Sequence, residues 1–205
     1  TLTGDGLTLN GQAIVRTDAD ATINSAIGGT NGLLKVGAGT LSLGTRATYT
    51  GNTILNDGTL RLTGGGGGNG TIRGSIDINN GASLELATGD ATGYNTNGAQ
   101  LNEFNLNGGN LHVAVTNNQT LGNGVINLDG GTITGVAGSN IDFFRGSSAI
   151  NSLASNTTSS ISGTTLSIRQ AGGLTIDVQD GGAANDLEIS SLIQSKSGGE
   201  PLIKT

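Results

Sequence analysis

Apolar residues along this chain come in short alternating pairs with a polar residue between them. Leu7-Thr8-Leu9, Leu41-Ser42-Leu43, Leu60-Arg61-Leu62, Ile76-Asp77-Ile78 and Leu84-Glu85-Leu86 show the pattern in the first half. Phe104-Asn105-Leu106, Leu111-His112-Val113, Ile126-Asn127-Leu128, Leu166-Ser167-Ile168 and Leu174-Thr175-Ile176-Asp177-Val178 continue it. Period-two alternation predicts short strands with one apolar and one polar face. No segment keeps a helical period for long; Leu101 to Leu106 and Ile150 to Leu153 come nearest, and both are short. The breaks are of one kind, Asn10-Gly11, Asn56-Asp57-Gly58, Asn79-Asn80-Gly81, Asn107-Gly108-Gly109 and Asp129-Gly130-Gly131. Asn, Asp and Gly tolerate the left-handed backbone that a tight corner needs.

The pairs recur at a steady interval. Leu41 to Leu60, Leu84 to Phe104 and Phe104 to Ile126 each span a similar stretch of chain. That shared period, roughly 20 residues, predicts a β-solenoid, in which each coil stacks its apolar positions on the next. A sandwich or barrel competes, but usually brings longer strands, more aromatics and more proline in its turns. The expected fold is therefore all-β, a right-handed parallel β-helix of roughly nine or ten coils, each about 19–24 residues. The rod expected from that count is ~45 Å long at ~4.8 Å per coil. Residues 1–205 are expected to form one rod segment.

Composition narrows the function. The chain has 205 residues, with 38 glycines, one proline, one histidine and no cysteine, methionine or tryptophan. Leu, Ile, Val and Phe make up about 24% of it, above the ~20% below which disorder is expected. Without cysteine there is no disulfide framework, thiol nucleophile or cysteine-ligated zinc. A net charge of −6 with no basic cluster argues against nucleic acid. No apolar run reaches the ~20 residues needed to span a bilayer, so no membrane insertion is expected of this segment. The start, Thr1-Leu2-Thr3-Gly4-Asp5, has no basic-then-apolar leader and reads as an internal or processed piece.

Gly32 to Leu62 reads GLLKVGAGTLSLGTRATYTGNTILNDGTLRL. Leu34-Lys35, Gly37-Ala38-Gly39-Thr40-Leu41-Ser42-Leu43, Tyr49-Thr50-Gly51-Asn52-Thr53 and Asn56-Asp57-Gly58-Thr59-Leu60 follow one ordered pattern. That pattern closely resembles the passenger-associated transport repeat, also called the autotransporter-associated β-strand repeat, clearest over residues 20–62. The departure is Gly44-Thr45-Arg46-Ala47-Thr48, where the family commonly has a Ser-Gly-x-Asn-like turn. Asn185 to Ile193 parallels Asp20 to Ile27, and Leu202-Ile203-Lys204-Thr205 parallels Leu33-Leu34-Lys35-Val36. Residues 185–205 thus resemble the start of a second repeat, and 63–184 carry no assignable motif. The resemblance implies a secreted, extracellular β-helix on a bacterial surface, in the stalk of an autotransporter-like adhesin. It names no ligand and no cofactor.

No catalytic, metal or cofactor-binding residues emerge. Polysaccharide cleavage needs two acid/base groups close together, and Asp77, Asp129, Asp142 and Asp177 read as outward strand or corner positions. His112 reads as an exposed strand residue. Gly181 to Ile189 partly matches a calcium nonapeptide, but it lacks the fourth-position Gly and tandem copies. The run Gly64 to Gly68 lacks the Lys-Ser/Thr of a phosphate loop and reads as a corner. Phe143 and Phe144 are the best pointer to a contact surface, because neighbours on a strand cannot both face the core. Thr, Ser and Asn on the polar faces predict stacked hydrogen-bonded ladders.

The expected role is structural, a non-enzymatic rod spacing another element from the cell. One alternative is an extracellular filament, built head-to-tail through edges at Thr1, Leu2 and Thr3 and at Leu202, Ile203 and Lys204. Another is an adhesin module that holds glycans or cell surfaces. The expected partners are the chain itself, neighbouring solenoid repeats, or glycans and surfaces. A polysaccharide lyase or hydrolase is the least expected.

Overall fold

The computed structural model describes residues 1–95 and 97–205. Among these residues every regular element is a β-strand, and every strand-to-strand pairing is parallel. The chain is a parallel β-solenoid of about eight turns. One sheet stacks nine strands, from Ala13–Arg16 at one end to Leu202–Lys204 at the other. A second stacks eight, from Ala21–Ile23 to Leu187–Ile189. A third, of four strands, runs Asn118–Gly122, Ser139–Arg145, Thr164–Ile168 and Ile193–Ser195. Leu7–Leu9 pairs with Ile27–Gly29 beside the first coils.

Alternation decides which residues face inward. In the nine-stranded sheet one inward column runs Leu33, Thr53, Ile76, Phe104, Ile126, Ile150 and Ile176. The opposing sheet stacks Leu41, Leu60, Leu84, Leu111, Ile133 and Ile161. Nearly all are shielded from solvent, and together they form one continuous core. The predicted pairs from Leu41 to Ile176 all lie on strands, and their apolar members are buried. Leu7-Thr8-Leu9 is also a strand, but it lies on the outermost rung and stays largely exposed.

The count falls short of nine or ten coils because the coil lengthens along the chain. Leu34 pairs with Ile54 in the early coils, whereas Asp77 pairs with Asn105 and Thr175 with Ile203 further on. The turn thereby grows from roughly 20 residues to roughly 28, still within the range of solenoid repeats. Loops between the strands, such as 63–73 and the stretches 87–95 and 97–100, take up the extra length. The interval from Leu84 to Phe104 is not a coil repeat: Leu84 stacks on Leu111 and Phe104 on Ile76, in different sheets. Eight steps at ~4.8 Å give a rod of about 38 Å rather than 45 Å.

The outward faces carry the expected ladders. Asn105 donates to Asp77 at 2.9 Å, Asn127 to Asn105 at 2.8 Å and Asn151 to Asn127 at 2.8 Å. Asn79 donates to Asn56 at 2.6 Å and Asn107 to Asn79 at 3.0 Å. Such stacking satisfies side chains along the rod without burying charge.

Candidate functional site

The Phe143–Phe144 pair resolves through a β-bulge. Leu121 pairs with Phe143, but the next residue, Gly122, pairs with Arg145, so Phe144 is an extra residue on its strand. A bulge re-aims the side chain it inserts. Phe143 stays in the core and Phe144 turns outward, half-buried. The expected split, one ring in and one out, is what the structure shows.

The surroundings of Phe144 come from four coils. Tyr94, on the stretch 87–95, meets its ring edge-on at 6.0 Å between centroids. The Arg145 guanidinium stacks over the ring at 4.3 Å and that of Arg169 at 4.0 Å. Such contacts are attractive because the ring face is electron-rich. Asp142 keeps the outward side of its strand, between Ile141 and Phe143, but it is fully buried there beneath Arg169 and Lys196, and it fixes the arginine. Its Oδ2 forms an ion pair with Arg169 Nη2 at 2.7 Å and accepts from Lys196 Nζ at 3.0 Å. Burying a carboxylate is costly unless it is paired and bonded, and here two cations share it. Asp90 Oδ1 accepts from the Thr120 amide at 2.9 Å. A cleft of about 240 Å³ lies between Asp90, Tyr94, Thr120, Phe144 and Arg169.

Local sequence explains the assembly. Gly122 permits it, because a Cβ there would sit 2.4 Å from the Tyr94 carbonyl oxygen. The Tyr94 amide donates to Gly68 O at 3.1 Å, anchoring its loop on the coil before. Arg169 follows Ile168, which pairs with Phe143 in the adjacent coil. Sequence reading missed Tyr94, Arg145 and Arg169, since nothing local ties Tyr94 and Arg169 to Phe144. The one available signal was the run Asp142-Phe143-Phe144-Arg145, charged at both ends in a chain with few charges.

The proposed edge residues lie at the two ends. Leu2 bridges to Ile23, beside the eight-stranded sheet, and Leu202–Lys204 closes the nine-stranded sheet against Leu174–Ile176. The two groups therefore belong to different sheets. The first rung of the nine-stranded sheet is Ala13–Arg16, where Ile14 is 68% exposed. At the last rung a cavity of about 530 Å³ opens onto the core residue Ile176 and the partly covered Leu187, Ile193 and Leu202.

The remaining candidates are tied into the scaffold. His112, half-buried rather than exposed, bonds the Thr134 hydroxyl through Nδ1 at 2.9 Å, and Asp77 sits in the Asn ladder. Asp177 accepts from the Thr205 hydroxyl, and Asp186 from the Gly181 amide inside the calcium-like nonapeptide. Among the described residues no group of three or more His, Cys, Asp or Glu is placed to hold a metal.

Two buried groups in the first coils went unnoticed in the sequence. Lys35 faces inward with Leu33, and its ammonium donates to the carbonyls of Gly37, of Asp57 at 2.9 Å and of Val36 at 3.4 Å. Burial pushes its pKa below the usual lysine value, opposed by Asp57 and Asp18. Tyr49 is fully buried, and its hydroxyl bonds that of Thr53 at 2.6 Å. Burial pushes its pKa up to about 12.

Comparison with known proteins gives one partial likeness. The chain is similar to an autotransporter adhesin. Over 85 residues it is 40% identical to the adhesin BmaC autotransporter of Brucella suis biovar 1 (strain 1330). That stretch is 40% of this chain and 2% of the adhesin's length. No family model and no solved structure matches the chain. The likeness and the parallel solenoid together fit an autotransporter passenger β-helix on a cell-surface or secreted protein.

Proposed function

We propose that this chain is a structural rod segment of an extracellular, autotransporter-like bacterial adhesin, and that its role is mechanical rather than enzymatic. The observation that carries this reading is the uninterrupted parallel stack, about eight turns deep over one aliphatic core. Burial that grows turn by turn makes such a rod stiff at any length. The similarity to an autotransporter adhesin supports the surface setting.

The reading extends to the transport repeat at residues 20–62 and 185–205, with 63–184 as further coils of the same rod. The parallel segments occupy matching places. Ala21–Ile23 and Leu187–Ile189 lie in one sheet, and Leu33–Val36 and Leu202–Lys204 in the other. Lys204 donates to the carbonyl of the residue after it, as Lys35 does.

The test is a swap in the full-length protein on cells. Residues 13–178 are replaced by an unrelated solenoid of equal length, or deleted. The expected outcome is that the swap preserves adhesion, while deletion draws the distal part in by about 34 Å, some seven rungs of ~4.8 Å. Loss of adhesion in the swap would overturn the spacer role.

A second reading, a filament built head-to-tail, is favoured by the apolar residues on the end rungs. Ile14 is 68% exposed, Leu202 50% and Ile203 39%. Joined sheet to sheet, Leu202–Lys204 would meet Ala13–Arg16 of the next copy, and Leu187–Ile189 would meet Thr1-Leu2-Thr3. Sedimentation over a wide concentration range decides it: open-ended polymers support the filament, and a monomer at every concentration removes it.

A further inference from the structure

We propose that the cleft between Tyr94 and Phe144 binds one acidic sugar residue, a uronic acid, of a surface glycan. The site goes beyond the spacer reading and stands apart from it, since a rod can space with or without a ligand on its flank.

The size limits the ligand first. At about 240 Å³ the cleft is smaller than the pockets that take drug-sized molecules, and it suits a single ring. The wall chemistry is mixed. Asp90 spends Oδ1 on the Thr120 amide, which leaves Oδ2 to accept from sugar hydroxyls. The hydroxyls of Tyr94 and Thr120 have no partner among the described residues, and each can donate or accept. Phe144 and Tyr94 meet edge to face and offer C–H surface to the apolar side of a pyranose. A ligand bearing many hydroxyls and some C–H surface answers this set.

The charge selects an acidic sugar. Arg145, Arg169 and Lys196 gather here in a chain with only 9 basic residues against 15 acidic ones. Asp142 and Asp90 offset two of these three charges, so one positive charge is left over. Arg169 commits Nη2 to Asp142, and among the described residues its Nη1 makes no hydrogen bond. Its guanidinium is held flat against Phe144, which pre-organises it for a planar carboxylate. Asp90 opposes a dianion such as phosphate, and the arginines oppose a metal cation. A neutral sugar would leave the guanidinium unanswered. The cleft opens on the side of the rod, where coils stacked at either end do not cover it.

The test is NMR titration of the intact chain with methyl β-glucuronide, and with methyl β-glucoside as the neutral control. The expected result is a saturable shift of the amides of Gly122, Phe144 and Arg169, with a Kd near the millimolar range. The glucuronide should bind about tenfold more tightly than the glucoside, the effect of one added charge contact. Asp90→Asn keeps the acceptor for the Thr120 amide, so it folds. It should raise the preference for the glucuronide over the glucoside about threefold by removing a like charge, while the lost acceptor weakens both sugars alike. Arg169→Gln should abolish the difference between the two sugars. Equal binding of both sugars, no saturable shift, or an Asp90→Asn variant that lowers the preference for the glucuronide would overturn the proposal. The titration is read on the unaltered chain, so its failure leaves the swap that tests the spacer untouched.

Discussion

The first coils and the later ones share a core but close their third side differently. From Ala13 to Leu62 the turns are short, and the third side holds only the short pair Leu7–Leu9 and Ile27–Gly29, continued by the Thr48 amide donating to Ile27 O and that of Thr50 to Gly29 O. From Asn118 onward that side is a true four-stranded sheet, and the turns are longer. Backbones approach closely at particular glycines of the short coils. A Cβ on Gly32 would lie 2.1 Å from Asn52 O, and one on Gly51 would lie 2.3 Å from the Gly32 amide. The short coils also bury Lys35 and Tyr49. The long coils have room for a bulge, for an outward aromatic and for the cleft beside it. A regular repeat thus gives a uniform rod, and departures from it make places for chemistry.

The sharpest way to break that comparison is to add one methyl group to each half. Gly32→Ala forces two backbones apart and should destabilise the chain by about 3 kcal/mol. Gly172 has nothing within 4 Å of a new Cβ. Gly172→Ala should therefore be neutral or stabilising by about 0.5 kcal/mol, through the unfolded state. Denaturant midpoints of the two variants measure the difference. Equal shifts would show that the close approach of Gly32 to the Asn52 carbonyl does not set the cost.

Tyr49 gives a smaller effect with a sign fixed by linkage. Its pKa is about 12 in the folded chain against 10.0 for a free tyrosine. The unfolded chain therefore loses its proton first as pH rises, and stability falls between pH 10 and about 12. The slope in that window approaches about 1.4 kcal/mol per pH unit. Tyr49→Phe should cost about 1 kcal/mol at neutral pH, because the Thr53 hydroxyl is left buried without its partner. The variant should also lose this part of the alkaline fall. Thermal melts of both proteins at pH 8 and 11 check it, and an alkaline slope unchanged in Tyr49→Phe would place the titration elsewhere.

Much of this was legible in the sequence, and the reason is geometric. Alternation reports directly which face a strand residue occupies, so the pairs from Leu41 to Ile176 could be assigned without coordinates. Coil length was less legible, because stretches of sequence such as 87–100 carry no apolar period to count. Phe144 stood out as a break in alternation. Its partners did not, because Tyr94, Arg145 and Arg169 meet only once register and bulge are set. Lys35 was hidden for a different reason. Alternation with Leu33 points it inward, but a lysine is usually assigned to solvent, and only the carbonyls of Gly37 and Asp57 make its burial tolerable.

The mildest test concerns the outward column of the nine-stranded sheet, which also divides the molecule. In the short coils the column is apolar, with Ile14, Leu34 and Ile54 in register. In the long coils it is polar, with Asp77, Asn105, Asn127, Asn151 and Asp177. Asn127 bonds both neighbours at 2.8 Å. Asn127→Ala breaks the ladder in the middle, but water reaches the half-exposed groups left behind, so the cost should be about 1 kcal/mol. Ile54→Asn should do the reverse and extend the ladder by one rung toward Asp77, with a gain of about 0.5 kcal/mol or less, since little buried apolar area is lost. Urea midpoints of the two variants measure both changes. If Asn127→Ala costs nothing, the ladder follows the stacked backbone rather than supporting it, and the polar column serves only to keep the flank of the rod wet.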